Sequence, residues 1–287
     1  MTDTSVRESV LISAAQLQEE LSSGTATVPV VLDVRWALGG PNGRAAYDAG
    51  HIPGAIYVDL ESELTGHGRS ASEGRHPLPD VSDFQAAARR WGISDDSDVV
   101  VYDQTSGMAA ARLWWLLRWA GLRTVRVLDG GYPSWLAHNG ASNTAPESPE
   151  PGTVSFSAGQ MPTLSAEEAE AYGQSGVLLD ARAGERYRGE SEPIDPKAGH
   201  IPGAASAPTT ENVSGQEFLP TEKLRARFED LGVTDSAKVG AYCGSGITAA
   251  HEVLALAAIG VDAALYPASW SGWCSDDSRP VATGVED

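Results

Sequence analysis

Cys243 opens the segment Cys243-Gly-Ser-Gly-Ile-Thr-Ala249, whose residue types suit a nucleophile seated in an anion-binding loop. Gly244 and Gly246 permit backbone conformations that other residues resist, so the loop can curl with its N–H groups turned inward. A short apolar run, Val239–Tyr242, precedes the cysteine, and a helical pattern, Thr248–Ile259, follows it. A helix beginning there adds unpaired N–H donors and the positive end of its dipole. Such surroundings lower a thiol pKa and raise the fraction of nucleophilic thiolate. Gly244, Ser245, Gly246, Ile247 and Thr248 are therefore candidate contacts for whatever Cys243 attacks.

Two chemistries suit a cysteine in this setting. Cysteine-dependent phosphatases use Cys-x5-Arg, where the arginine clamps the phosphoryl group. The residue six beyond Cys243 is Ala249, and the loop contains no arginine, so a phosphatase lacks its charge partner. The other option is sulfur transfer, in which the thiolate attacks a sulfane sulfur and the loop N–H groups hold the persulfide anion.

The elements that must position this loop are set by an internal repeat. Ala49-Gly-His-Ile-Pro-Gly-Ala55 returns as Ala198-Gly-His-Ile-Pro-Gly-Ala204, and Val31-Leu-Asp-Val-Arg35 returns as Leu178-Leu-Asp-Ala-Arg182. Val99-Val-Val-Tyr-Asp103 corresponds to Val239-Gly-Ala-Tyr-Cys243, and Trp135 to Trp273. Four blocks in one order predict a duplicated domain, with Asp103 at the cysteine position of the first copy. Val28–Val34, Val99–Tyr102, Val125–Leu128, Val177–Asp180, Val239–Tyr242 and Ala263–Tyr266 read as buried strands. Ala109–Ala120 and Thr248–Ile259 read as helices, stopped by Gly121 and Gly260. This alternation predicts an α/β fold, with mostly parallel sheets covered by helices on both faces. In such sheets ligands bind beyond the carboxyl ends of the strands, which points to the loops after Tyr102 and Tyr242. The predicted domains are 1–145 and 163–287, joined by a linker over 146–162 within a stretch rich in Pro, Ser and Gly.

The 287 residues carry a net charge of −19, which argues against a nucleic-acid partner. The acidity is uneven: residues 1–145 carry −6 and residues 146–287 carry −13. An anion bound in the second half must therefore be held by local donors against an unfavourable background field. No apolar run approaches the roughly 20 residues needed to span a bilayer, and the first ten residues lack a secretory signal pattern. Two cysteines cannot build a disulfide framework or, alone, a structural zinc site. A cytoplasmic protein with free thiols is expected.

The paired Gly-His-Ile-Pro-Gly blocks, Asp129-Gly-Gly, Ala268-Ser-Trp270 and the Cys243–Ala249 loop resemble the two-domain rhodanese-type sulfurtransferases across nearly the whole chain. The resemblance implies two rhodanese-like domains, an inactive first and a catalytic second, with one active site at their interface. The Cys-Gly-Ser-Gly-x-Thr-Ala loop resembles that of 3-mercaptopyruvate sulfurtransferases, whereas thiosulfate-preferring members usually carry Cys-Arg-Lys-Gly. A neutral loop offering N–H groups and the Ser245 hydroxyl suits the enolate oxygen that develops on mercaptopyruvate. The resemblance further implies that Arg186, with Arg188 as a weaker candidate, holds the donor carboxylate. Many such enzymes carry a second arginine where this chain has Ile194, in Glu192-Pro-Ile-Asp195. Ser245, His76 and Glu61 match a proposed proton relay, with glutamate in place of the family's aspartate. His51 and His200 recur in both copies and read as structural turn residues, as do the pairs Asp33/Arg35 and Asp180/Arg182. Trp270 and Cys274 lie in a final loop that could approach Cys243, with Cys274 either incidental or a redox partner. The implied partners are a small sulfur donor and a thiol or cyanide acceptor, including a thioredoxin-like protein. No metal or organic cofactor is implied. Thiosulfate as donor, or a persulfide-holding redox sensor without turnover, are the alternatives.

Overall fold

The computed structural model describes residues 3–23, 28–37, 39–40, 43–68 and 70–285. The outer ends of the two predicted domains, 1–2 and 286–287, lie outside the described residues. The chain forms two compact units. The first comprises Met1–Thr65, Pro79–Met161 and Ser214–Phe218; the second comprises Gly66–Leu78, Pro162–Val213 and Leu219–Asp287.

In the first unit, β1 (Leu11–Ile12), β2 (Val30–Asp33), β3 (Ile56–Tyr57), β4 (Val99–Tyr102) and β5 (Val125–Leu128) form one sheet. Its order is β1-β5-β4-β2-β3, and every neighbouring pair is parallel. In the second unit, β6 (Val177–Asp180), β7 (Ala204–Ser206), β10 (Val239–Tyr242) and β11 (Ala263–Leu265) form a parallel sheet in the order β11-β10-β6-β7. Between them in sequence lie β8 (Val213–Ser214) and β9 (Glu217–Phe218). β4 and β10 are buried along their whole length, as apolar runs without alternation require in a sheet covered on both faces. The helices predicted from Ala109 and Thr248 run over Ala110–Trp119 and Thr248–Ala257. β1, β3 and β7 have two or three residues each, too few to show a period in sequence. Residues 146–161 form no helix or strand, but Gly152, Val154, Ser157 and Gln160 donate backbone bonds to Arg89, Ile93, Ala120 and Trp119 of the first unit.

The repeated residues make the same bonds twice. Arg35 grips Asp33 through Nε and Nη2 at 3.0 and 2.6 Å and donates to the Gly50 carbonyl at 2.7 Å. Arg182 grips Asp180 at 2.9 and 2.5 Å and donates to the Gly199 carbonyl at 2.6 Å. Both pairs are buried, so each charge depends on its partner. His51 stacks on Tyr47 and donates from Nδ1 to its carbonyl at 2.9 Å; His200 treats Tyr187 likewise at 2.8 Å. Burial, reinforced by the Asp33 and Asp180 charges, pushes the Tyr102 and Tyr242 phenols well above their usual pKa. The neutral phenol oxygens accept the N–H groups of Ile52 and Ile201 at 3.2 and 3.1 Å. The Gly-His-Ile-Pro block is thus a structural turn, bolted to the strand end by an arginine and a tyrosine.

The loop after β4 shows what this bend does with a negative charge. Asp103 is fully buried, and its carboxylate accepts N–H bonds from Thr105, Gly107, Ala109 and Ala110 at 2.7–3.0 Å. Burial raises its pKa, and the four backbone donors oppose that rise. Truncation by Asp103→Ala would leave those donors unsatisfied inside the unit. It is expected to destabilise the protein by about 3 kcal/mol, measured by urea denaturation. An unchanged midpoint would show that the carboxylate does not hold the loop.

Candidate active site

The loop after β10 repeats that bend with a sulfur at its mouth. Cys243 is 2% exposed. Its N–H donates to Ser269 Oγ at 3.1 Å and its carbonyl accepts the Trp270 N–H at 2.9 Å, fixing the residue against the Ser269–Trp273 helix. The Gly246 N–H donates to Cys243 Sγ at 3.1 Å, the inward turn that the double glycine predicts. Gly246 has φ +84°, and a Cβ there would also run into the Pro267 carbonyl, so only glycine fits. Among the described residues the N–H groups of Ser245, Ile247, Thr248 and Ala249 meet no protein acceptor. They are the free head of the Thr248–Ala257 helix and the loop leading into it.

Two arginines converge on this loop. A methyl group at Gly244 would lie 3.2 Å from Arg75 Nη2 and 3.3 Å from Arg186 Nη1. Arg186 is held through Nε and Nη2 by Glu192 at 3.1 and 2.7 Å, and Nη2 also reaches Asp195 at 3.3 Å. Arg75 pairs with the other oxygen of Asp195. Burial opposes ionisation of Glu192, but Arg186 and the N–H groups of Asp195 and Ile194 outweigh it and hold its pKa below the usual range. Burial keeps Asp195 above its usual value, assisted by the Glu192 charge and opposed by Arg75 and Arg186. Each guanidinium is thus anchored on one side and presents its other Nη at Gly244.

Arg75 is the residue that sequence reasoning passed over. It adjoins His76 in sequence but lies 168 positions before Cys243, and segment 66–78 belongs to the second unit. The loop itself carries no cation, as its sequence states, and the glycine at 244 leaves room for charges arriving from elsewhere in the chain. Ile194, where the resemblance expects an arginine, is 42% exposed and brings no charge. Arg188 turns away to Glu190, with bonds of 2.8 and 2.9 Å. His76 (6% exposed) and Ser245 (8%) share the second unit, whereas Glu61 belongs to the first, where its exposed carboxylate accepts from Trp36 Nε1 at 2.8 Å. Ser269, also missed, adopts φ +53°, a cost that non-glycine residues bear only when neighbours enforce it. Here its hydroxyl accepts from Cys243, donates to the Tyr266 carbonyl at 2.9 Å and lies 4.0 Å from Sγ.

Both cysteines are free. Cys274 caps the Ser269–Trp273 helix, its Sγ 3.8 Å from the Ser271 carbonyl. Burial pushes its thiol above the usual pKa, and the nearby Asp195 charge adds to the effect. Among the described residues no group of three or more His, Cys, Asp or Glu side chains could hold a metal ion. No described helix is long and apolar enough to cross a membrane.

The chain is similar to known proteins over most of its length. The family model "Rhodanese-like domain" matches residues 13–138 and 165–276. The Mycobacterium tuberculosis protein SseB, whose name proposes a thiosulfate sulfurtransferase, is 48% identical over 97% of this chain and 99% of its own. A Pseudomonas aeruginosa protein, whose name proposes a 3-mercaptopyruvate sulfurtransferase, is 45% identical over 96% of this chain and 98% of its own. The crystal structure of SseA from Escherichia coli, described among the 3-mercaptopyruvate sulfotransferases, superposes with a TM-score of 0.80. It shares 30% identity and covers 91% of this chain and 98% of its own.

A raised thiol pKa and burial make Cys274 a poor redox partner. After mild oxidation, peptide mass spectrometry is expected to find no Cys243–Cys274 disulfide. A bridged peptide in good yield would make the second thiol part of the chemistry.

Proposed function

Because this chain belongs to the rhodanese-like domain family and is a sulfurtransferase, we propose that Cys243 carries the transferred sulfur as a persulfide, with 3-mercaptopyruvate as donor. The catalytic half is residues 163–287, supplemented by the segment bearing Arg75 and His76, and residues 1–145 form the inactive half. The observation that supports this most is the convergence of two anchored guanidiniums on Gly244, beside a sulfur that accepts the Gly246 N–H.

The Cys243 thiolate attacks the donor sulfur, and the carbon–sulfur bond breaks with its electron pair moving into the pyruvate enolate. Arg75 and Arg186 bind the donor carboxylate through their inward Nη groups. The Ser245 hydroxyl faces the ketone oxygen as negative charge develops there. His76 passes a proton to the enolate carbon. The N–H groups of Ser245, Ile247, Thr248 and Ala249 then stabilise the persulfide anion. A thiol (small, or borne by a thioredoxin-like protein) or cyanide attacks the outer sulfur, and the Cys243 thiolate leaves as in ordinary thiol exchange. The kinetics are ping-pong. Two free, buried cysteines suit the reducing cytoplasm, where we place the protein.

Thiosulfate is the second reading, favoured by the same pair of arginines. A dianion would gain from two cations, and these occupy space that an arginine within the loop would fill.

Incubation with 3-mercaptopyruvate is expected to add about 32 Da, one sulfur atom, to Cys243, and Cys243→Ser should abolish turnover. Arg75→Ala and Arg186→Ala should each raise donor KM roughly tenfold to a hundredfold, the range for a lost charge-assisted bond. A higher kcat/KM with thiosulfate would replace the first reading by the second. An unmodified Cys243 with both donors would overturn both.

A further inference from the structure

We propose that Ser271 is a positioning residue that ties the Arg75 segment to the cysteine loop, so that guanidinium and sulfur keep one spacing. This rests on the reading of Cys243 and Arg75 given above. The Ser271 hydroxyl accepts the backbone N–H of Arg75 at 3.1 Å and donates to the Ala268 carbonyl at 3.2 Å. Its own N–H donates to the Gly244 carbonyl at 3.0 Å. One residue therefore holds both sides of the proposed carboxylate site, the arginine by its side chain and the loop by its main chain.

The surroundings show that this contact is built. Gly74 has φ +81°, and a Cβ there would strike the Ala268 carbonyl. A Cβ on Gly272 would lie 2.7 Å from the Ser72 carbonyl. The two chain segments meet backbone to backbone, which only paired glycines allow. Ser70 and Glu73 close a capping box around the Ala71–Glu73 turn, so the segment reaches Gly74 already shaped. Ser271 is 9% exposed, leaving little water to replace a lost hydroxyl. The Arg75–Asp195 pair restrains the end of the arginine, whereas the Ser271 bond restrains its root; a guanidinium on a loose root samples many positions.

The test separates the two half-reactions. With 3-mercaptopyruvate as donor and 2-mercaptoethanol as acceptor, ping-pong kinetics give an independent kcat/KM for each. Ser271→Ala is expected to lower the donor value about fivefold, the loss of one hydrogen bond, through KM, while the acceptor value stays unchanged. Ser271→Thr, which keeps the hydroxyl, should restore the donor value. Amide hydrogen exchange of a peptide spanning residues 70–78 should accelerate in Ser271→Ala and not in Ser271→Thr. Unchanged exchange, or equal losses with donor and acceptor, would overturn the assignment, the second by showing a merely structural role. If wild-type Cys243 gained no sulfur while exchange still responded, the donor reading would fall, and the positioning role with it.

Discussion

A negative charge buried where a parallel strand ends must be met by the N–H groups of the turn and helix that follow. Both halves of this chain are shaped by that constraint. In the first, the charge belongs to the chain itself: Asp103 takes four backbone donors, and the bend is complete. In the second, Cys243 is too short to fill the same bend. One donor from Gly246 reaches the sulfur, and among the described residues those of Ser245, Ile247, Thr248 and Ala249 meet no protein acceptor. The acidic character of this half opposes the approach of any further anion. Arg75 and Arg186 bring positive charge to the loop, and Glu192 and Asp195 hold them there. Pairs of this kind contribute little net stability, because desolvation offsets the attraction. Their effect is on direction, since each guanidinium is left with one edge to offer.

The frame that carries the loop is equally economical in kind. A carboxylate at a strand end, an arginine two residues later and a tyrosine on the neighbouring strand hold the Gly-His-Ile-Pro turn in both units. Repetition separates scaffold from chemistry here. Residues that make identical bonds in both copies belong to the frame, whereas Asp103 and Cys243 share a position and differ in what they do there.

The fold was largely legible because its signals are local or repeated. Buried strands such as Val99–Tyr102 declare themselves by apolar runs, and Thr248–Ala257 by its length. The short strands β1, β3 and β7 left no such trace. In the site, Cys243 and its glycines were visible because one short segment carries nucleophile, turn and helix head. Arg186 came from the family resemblance, and the chain puts it against Gly244. Arg75 was hidden for a physical reason: its relation to Cys243 is made by a chain crossing, through contacts between Gly74, Ser271 and Gly272 that no spacing encodes. Ser269 was hidden likewise, since a left-handed serine cannot be told from any other serine in a row of letters. Ile194 brings no charge, and the second cation beside Gly244 comes instead from a distant segment of the sequence.

The crossing of residues 66–78 into the second unit has a bearing on how such a protein can be taken apart. The repeat invites a cut near residue 160, giving two pieces of similar length and matching outline. That cut would divide the guanidinium from the sulfur, because Arg75 travels with the wrong fragment. The second piece would keep Cys243 and Arg186 but lose one of the two guanidiniums that meet at Gly244. The letters alone suggest two consecutive modules, whereas each compact unit borrows a segment from the other half of the sequence.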